Sequence, residues 1–89
     1  MISVAVRITV YATSWCPDCR RSIRLLTRLG APFDLIDIEE EPGAEDRMRA
    51  ANGGSGKVPT ILVGDRVLIE PTDEELRDAV SACRVTGAR

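Results

Sequence analysis

"TSWCPDCRR", residues 13–21, holds two cysteines, Cys16 and Cys19, with Pro17 and Asp18 between them. The pair sits between an apolar run and a basic, helix-like run. Residues 4–11, "VAVRITVY", are rich in β-branched and apolar side chains and read as a buried strand. Residues 17–29, "PDCRRSIRLLTRL", read as a helix: Pro17 suits its first turn, and Gly30 followed by Pro32 ends it. Cys19, Ile23 and Leu26 share one face, flanked by Ser22, Leu25 and Leu29, and Arg20, Arg24 and Arg28 share another. Cys16 is then expected at the helix N-cap, where unsatisfied backbone N–H groups and the helix dipole favour a thiolate. Cys19 lies one turn further in, more buried and within reach of Cys16.

Three readings of this pair compete: a redox centre, a metal clip and a structural staple. The chain has 89 residues, three cysteines and no histidine. A four-ligand structural zinc site needs one more Cys or His than is present. The N-terminal apolar run is interrupted by Arg7 and is too short for a signal peptide or a membrane span. This points to the reducing cytoplasm, where a C-x-x-C is catalytic or metal-binding rather than a staple. A cluster shared across a dimer is the remaining metal reading. The redox reading is the strongest: Cys16 attacks a disulfide, and Cys19 resolves the mixed disulfide.

Composition narrows the function further. A chain of 89 residues is expected to form one domain, 1–89. Its net charge of −2, with Tyr11, Trp15 and Phe33 as the only aromatics, gives neither a basic field nor a stacking platform for nucleic acid. No membrane association is expected.

Downstream, residues 33–38, "FDLIDI", read as a strand. Glu39, Glu40 and Glu41 read as a solvated turn, and residues 44–51 as a short helix with Ala44, Met48 and Ala51 inward. "TILV" (60–63) and "RVLI" (66–69) read as strands joined by a type II′ turn at Gly64-Asp65. Pro71 and Thr72 open a last helix, with a Thr72/Glu75 capping box and Leu76, Ala79, Val80 and Cys83 on its apolar face. Cys83 reads as a small core hydrophobe, and the tail "RVTGAR" as frayed. The order β-α-β-α-β-β-α implies an α/β fold. It has a four-stranded mixed sheet, with the first two strands parallel and the last two antiparallel.

A second candidate element is "KVPT", residues 57–60. Pro59 removes a ladder donor and leaves backbone groups of Val58 unpaired. If the Val58–Pro59 bond is cis, that backbone turns toward Cys16, and an extended substrate can pair with the Val58 N–H and C=O.

Together, "VYATSWCPDC", "DLIDIEE", "NGG…VPTI" and "EPTDEEL" stand in the order and spacing of the glutaredoxins, and nearly the whole chain resembles the small bacterial glutaredoxin-like group that includes the mycoredoxins. The resemblance implies a thioredoxin fold, a dithiol site at Cys16 and Cys19 flanked by Trp15 and Pro17, and a cis Pro59. It implies reduction of disulfide-bearing proteins or mixed disulfides by a monomer with no tightly bound cofactor. It also implies a low-molecular-weight thiol as reductant: glutathione, mycothiol or bacillithiol. Backbone N–H groups of Thr72 and Asp73 and the ammonium of Lys57, the one lysine, are the candidates to meet that thiol's anionic groups. This chain departs from many glutathione-using members. It has Thr13 where they are basic, Asp18 where they have tyrosine, Lys57 in place of threonine, and Glu70-Pro71 in place of two glycines. A thioredoxin-like donor reduced directly by a flavoprotein, and a non-catalytic iron–sulfur carrier, are the alternative functions.

Overall fold

The computed structural model describes the backbone of residues 7–87 and the side chains of residues 7–83. The chain runs β1 (Ile8–Ala12), α1 (Pro17–Arg28), β2 (Asp34–Asp37), α2 (Ala44–Asn52), β3 (Thr60–Val63), β4 (Arg66–Ile69) and α3 (Asp73–Gly87). This is the expected element order. The sheet has the order β2-β1-β3-β4. β1 runs parallel to β2, with Val10 opposite Leu35, and antiparallel to β3, with Tyr11 opposite Thr60. β3 and β4 form the antiparallel hairpin, with Val63 opposite Arg66. Gly64 at its turn has φ +59, the sign that the first central residue of a II′ turn requires.

Position in the sheet explains burial. β1 and β3 are interior strands, and Ile8, Val10, Ala12, Ile61 and Val63 form one core with Leu25, Leu26, Leu76 and Ala79 of the helices. Tyr11 alternates to the other face, where α2 packs with Ala44 and Met48 buried. β2 and β4 are edges, and Leu35, Val67 and Ile69 remain exposed.

Several expected details shift. The first strand begins at Ile8; residues 4–6 of the expected strand lie outside the described residues. The buried stripe of α1 is Cys19, Ser22, Leu25 and Leu26, with Ile23 only partly buried. Ser22, not Ile23, takes the fully buried place, and its hydroxyl has no hydrogen-bond partner among the described residues. Ala51 of α2 is exposed, because Asn52 makes the inward contacts of the last turn, through its side-chain amide, instead. α3 continues to Gly87, so four residues of the tail expected to fray are helical; residues 88–89 lie outside the described residues.

The helix ends follow local chemistry. Gly30 (φ +68) donates to the Thr27 carbonyl at 3.1 Å, and Ala31 to that of Leu26 at 3.0 Å, which closes α1 in a Schellman motif. At the start of α3, the Glu75 N–H donates to Thr72 Oγ1 (3.1 Å) and the Thr72 N–H to Glu75 Oε1 (2.8 Å), forming the capping box.

Candidate active site

β1 delivers Cys16 to the top of α1. Cys16 is the N-cap, with extended backbone (φ −84, ψ 116) and Pro17 following in the first turn. Its sulfur accepts a hydrogen bond from the Cys19 N–H at 3.2 Å. A sulfur in that position takes one of the amides that a helix start leaves unpaired. Cys16 is 6% exposed and Cys19 0%. Both are free thiols, one helical turn apart.

The two sulfurs are not equivalent. The Cys19 thiol is pushed up to about 12, chiefly by burial, then by its hydrogen bond with Cys16 and by the charges of Cys16 and Asp18; the Thr13 backbone opposes these. Cys19 therefore holds its proton at neutral pH and is the poorer first nucleophile. Iodoacetamide labelling of the reduced pair near pH 8 is expected to fall on Cys16 and to spare Cys19, as read by peptide mapping. The same shift gives a stability dependence of known sign. The folded state binds the Cys19 proton more tightly than the unfolded chain does, so its contribution is complete below the ordinary value of 9.0 and is lost as pH climbs toward about 12. Thermal melts of reduced protein should fall across that window more steeply than melts of the Cys16–Cys19 disulfide form, which lacks the titrating thiol.

Opposite α1, the entry to β3 brings Val58 to the pair. The Val58–Pro59 peptide is cis, and the Val58 carbonyl oxygen lies 3.9 Å from Cys16 Sγ. The loop before it is braced by residues whose role was not evident from the sequence. Asn52 Nδ2 donates to Thr60 Oγ1 (2.9 Å) and to the Ser55 carbonyl (3.0 Å), while Asn52 Oδ1 accepts from Gly54 and Ser55 amides. Thr60 Oγ1 in turn donates to the Lys57 carbonyl at 2.9 Å. The polar side chains flanking the glycines are the signal: an Asx-type turn before "GGSG" and a threonine directly after Pro59.

The remaining candidates lie around this centre, most of them already engaged. Trp15 is 63% exposed, and its indole N–H donates to Glu39 at 3.1 Å. Glu39, expected only as part of a solvated turn, thus fixes the orientation of the exposed ring. Lys57 Nζ is 3.8 Å from Glu70 Oε1. The Thr72 N–H is committed to Glu75. Asp73 accepts from Arg21 at 2.8 Å, and Arg21 also reaches Asp18 and the Pro71 carbonyl, both at 3.4 Å. That clasp ties the start of α1 to the start of α3. Cys83 lies away from the pair, with its sulfur 3.7 Å from the Val63 carbonyl oxygen at the edge of the core.

Among the described residues no group of three or more His, Cys, Asp or Glu is placed to hold a metal ion, and no helix is long and apolar enough to cross a membrane. The arrangement is one for thiol–disulfide exchange: a capped, marginally accessible sulfur, a buried partner one turn away, and the Val58 backbone carbonyl 3.9 Å from the first sulfur.

Known proteins share this fold. The glutaredoxin family profile matches residues 8–68. Mycoredoxin 1 of Corynebacterium glutamicum is 38% identical over 58 residues, 65% of this chain and 71% of that protein. The glutaredoxin of Archaeoglobus fulgidus superposes with a TM-score of 0.76 at 26% identity, covering 84% of this chain and 86% of that one. The glutaredoxin-like NrdH-redoxin of Escherichia coli, described for a thioredoxin-like activity profile, superposes with a TM-score of 0.72 at 25% identity, covering 81% and 92%. The family works with low-molecular-weight thiols and disulfide substrates. The chain belongs to the glutaredoxin family and is a glutaredoxin-like thiol–disulfide oxidoreductase with a thioredoxin fold.

Proposed function

We propose that Cys16 is the attacking thiol and Cys19 the resolving thiol, in a monomeric cytoplasmic enzyme that reduces mixed and protein disulfides and is itself reduced by mycothiol. The Cys16 thiolate attacks one sulfur of the substrate, and the other sulfur leaves as a thiolate and takes up a proton. Cys19 gives up its proton and attacks the Cys16 sulfur of the mixed disulfide. The bound thiol departs, leaving the Cys16–Cys19 disulfide, which two equivalents of thiol return to the dithiol. The substrate backbone lies along Val58, whose carbonyl faces Cys16 across 3.9 Å. Trp15 and Pro17 flank the attacking sulfur.

The choice of thiol rests on the capping box of α3. A carboxylate-bearing thiol such as glutathione or bacillithiol would use the Thr72 amide, the Asp73 amide and Lys57. The chain's own Glu75 already occupies the Thr72 amide at 2.8 Å, and Glu70 stands beside Lys57. Mycothiol carries no carboxylate and has no need of those groups. The similarity to Mycoredoxin 1 supports the same choice.

The test supplies the oxidised protein with mycothiol, bacillithiol or glutathione, or with a flavoprotein thioredoxin reductase and its nicotinamide, and follows the return of free thiols. Mycothiol is expected to give the fastest reduction. Reduction by the flavoprotein alone would replace this reading with that of a thioredoxin-like donor.

A further inference from the structure

Glu70 is the one non-glycine residue at positive φ among the described residues, at φ +49. Side chains with a Cβ are disfavoured there, and glycine is the residue that adopts it freely. The sequence nevertheless carries a glutamate at that bend. Its backbone N–H donates to the Pro59 carbonyl at 2.9 Å. Pro59 follows Val58, whose carbonyl faces Cys16. Glu70 Oε1 stands 3.8 Å from the ammonium of Lys57, the residue before Val58. The strained residue is therefore fastened to the loop that flanks Cys16, and its carboxylate offsets the one cation on that loop. Of the arginines nearby, Arg21 is shared between the carboxylates of Asp18 and Asp73, and Arg20 donates to the Ser14 carbonyl at 3.0 Å.

We infer that Glu70 is a charge-selecting residue of the loop that flanks Cys16. It neutralises Lys57 so that disulfides bearing a carboxylate gain nothing from the lysine. This rests on the reading of Cys16 as the attacking thiol, and it names what sets the substrate class. Glu70 takes no part in bond making. The bond that forms is Cys16 Sγ to one substrate sulfur, and the other half leaves as its thiol.

The experiment oxidises fully reduced protein with three small disulfides of one reach and different charge: dithiodipropionate (anionic), hydroxyethyl disulfide (neutral) and cystamine (cationic). Loss of free thiol gives each second-order rate. Wild type should react with dithiodipropionate no faster than with hydroxyethyl disulfide. Glu70→Gln should raise the anionic rate and lower the cationic one, each by about three- to fivefold at low salt, with the neutral rate unchanged. The change should shrink as salt is added. Lys57→Gln should move the rates the opposite way. Glu70→Gly removes the carboxylate and relieves the positive φ together, so it tests the same point in a variant with no folding penalty at that bend. A Glu70→Gln or Glu70→Gly protein with the wild-type ratio of anionic to cationic rates overturns the inference while leaving the chemistry of Cys16 standing. A wild type that reacts with none of the three disulfides overturns the proposed function instead.

Discussion

Cys16→Ser is expected to abolish disulfide reduction, lowering turnover by about three orders of magnitude or more for every substrate. A serine hydroxyl at the N-cap still receives the Cys19 amide, since serine is a preferred N-cap residue, so α1 should start as before. Fold and activity are thereby separated: circular dichroism and the melting temperature should stay near wild type while activity disappears. The other thiol of the pair cannot stand in, because Cys19 is fully buried and its proton is held to about pH 12. Residual turnover within tenfold of wild type would mean that another group attacks.

Cys19→Ser should instead split the activities. Release of a low-molecular-weight thiol from a mixed disulfide needs only Cys16 and a second molecule of thiol, so that rate should persist within a few fold. Reduction of a protein disulfide needs the bound protein to be expelled by an attack from within. Removing Cys19 turns that step into a collision with external thiol, at a cost of at least about a hundredfold given the effective molarities of well-placed intramolecular groups. Parallel assays on a mixed disulfide of a small thiol and on a protein disulfide read the two numbers. Equal losses in both would deny Cys19 its resolving role.

What was legible in the sequence was mostly local. Pro17 and Cys16 announce a helix start because N-cap and first-turn chemistry is settled within a few residues, and α1 begins where they place it. The Thr72/Glu75 box and the Gly64-Asp65 hairpin are read off spacing for the same reason. The thioredoxin fold, the Cys16–Cys19 pair and the cis Pro59 followed from the resemblance together with these local signals, and the strand pairing agrees with them. What escaped depends on partners far along the chain. The indole of Trp15 reaches a glutamate 24 residues on, and Arg21 an aspartate 52 residues on. Periodicity ranks apolar residues and so favoured Ile23 and Ala51. The packing preferred the small Ser22 and turned Asn52 inward, to brace the loop at Pro59. Of the groups proposed to meet a thiol's carboxylates, the Thr72 amide bonds Glu75, and Lys57 stands beside Glu70. Their occupation by Glu75 and Glu70 depends on side-chain geometry that spacing alone does not carry.

The central claim, that Cys16 makes the first covalent bond with substrate and Cys19 breaks it, has a direct test. Cys19→Ser protein, fully reduced, is mixed with a mycothiol disulfide, quenched in acid, and mapped by mass spectrometry after proteolysis without reductant. One thiol adduct per chain on the peptide bearing Cys16 is the predicted result, and wild type treated alike should show the Cys16–Cys19 disulfide with no adduct. An adduct on Cys83, or none at all, would contradict the account.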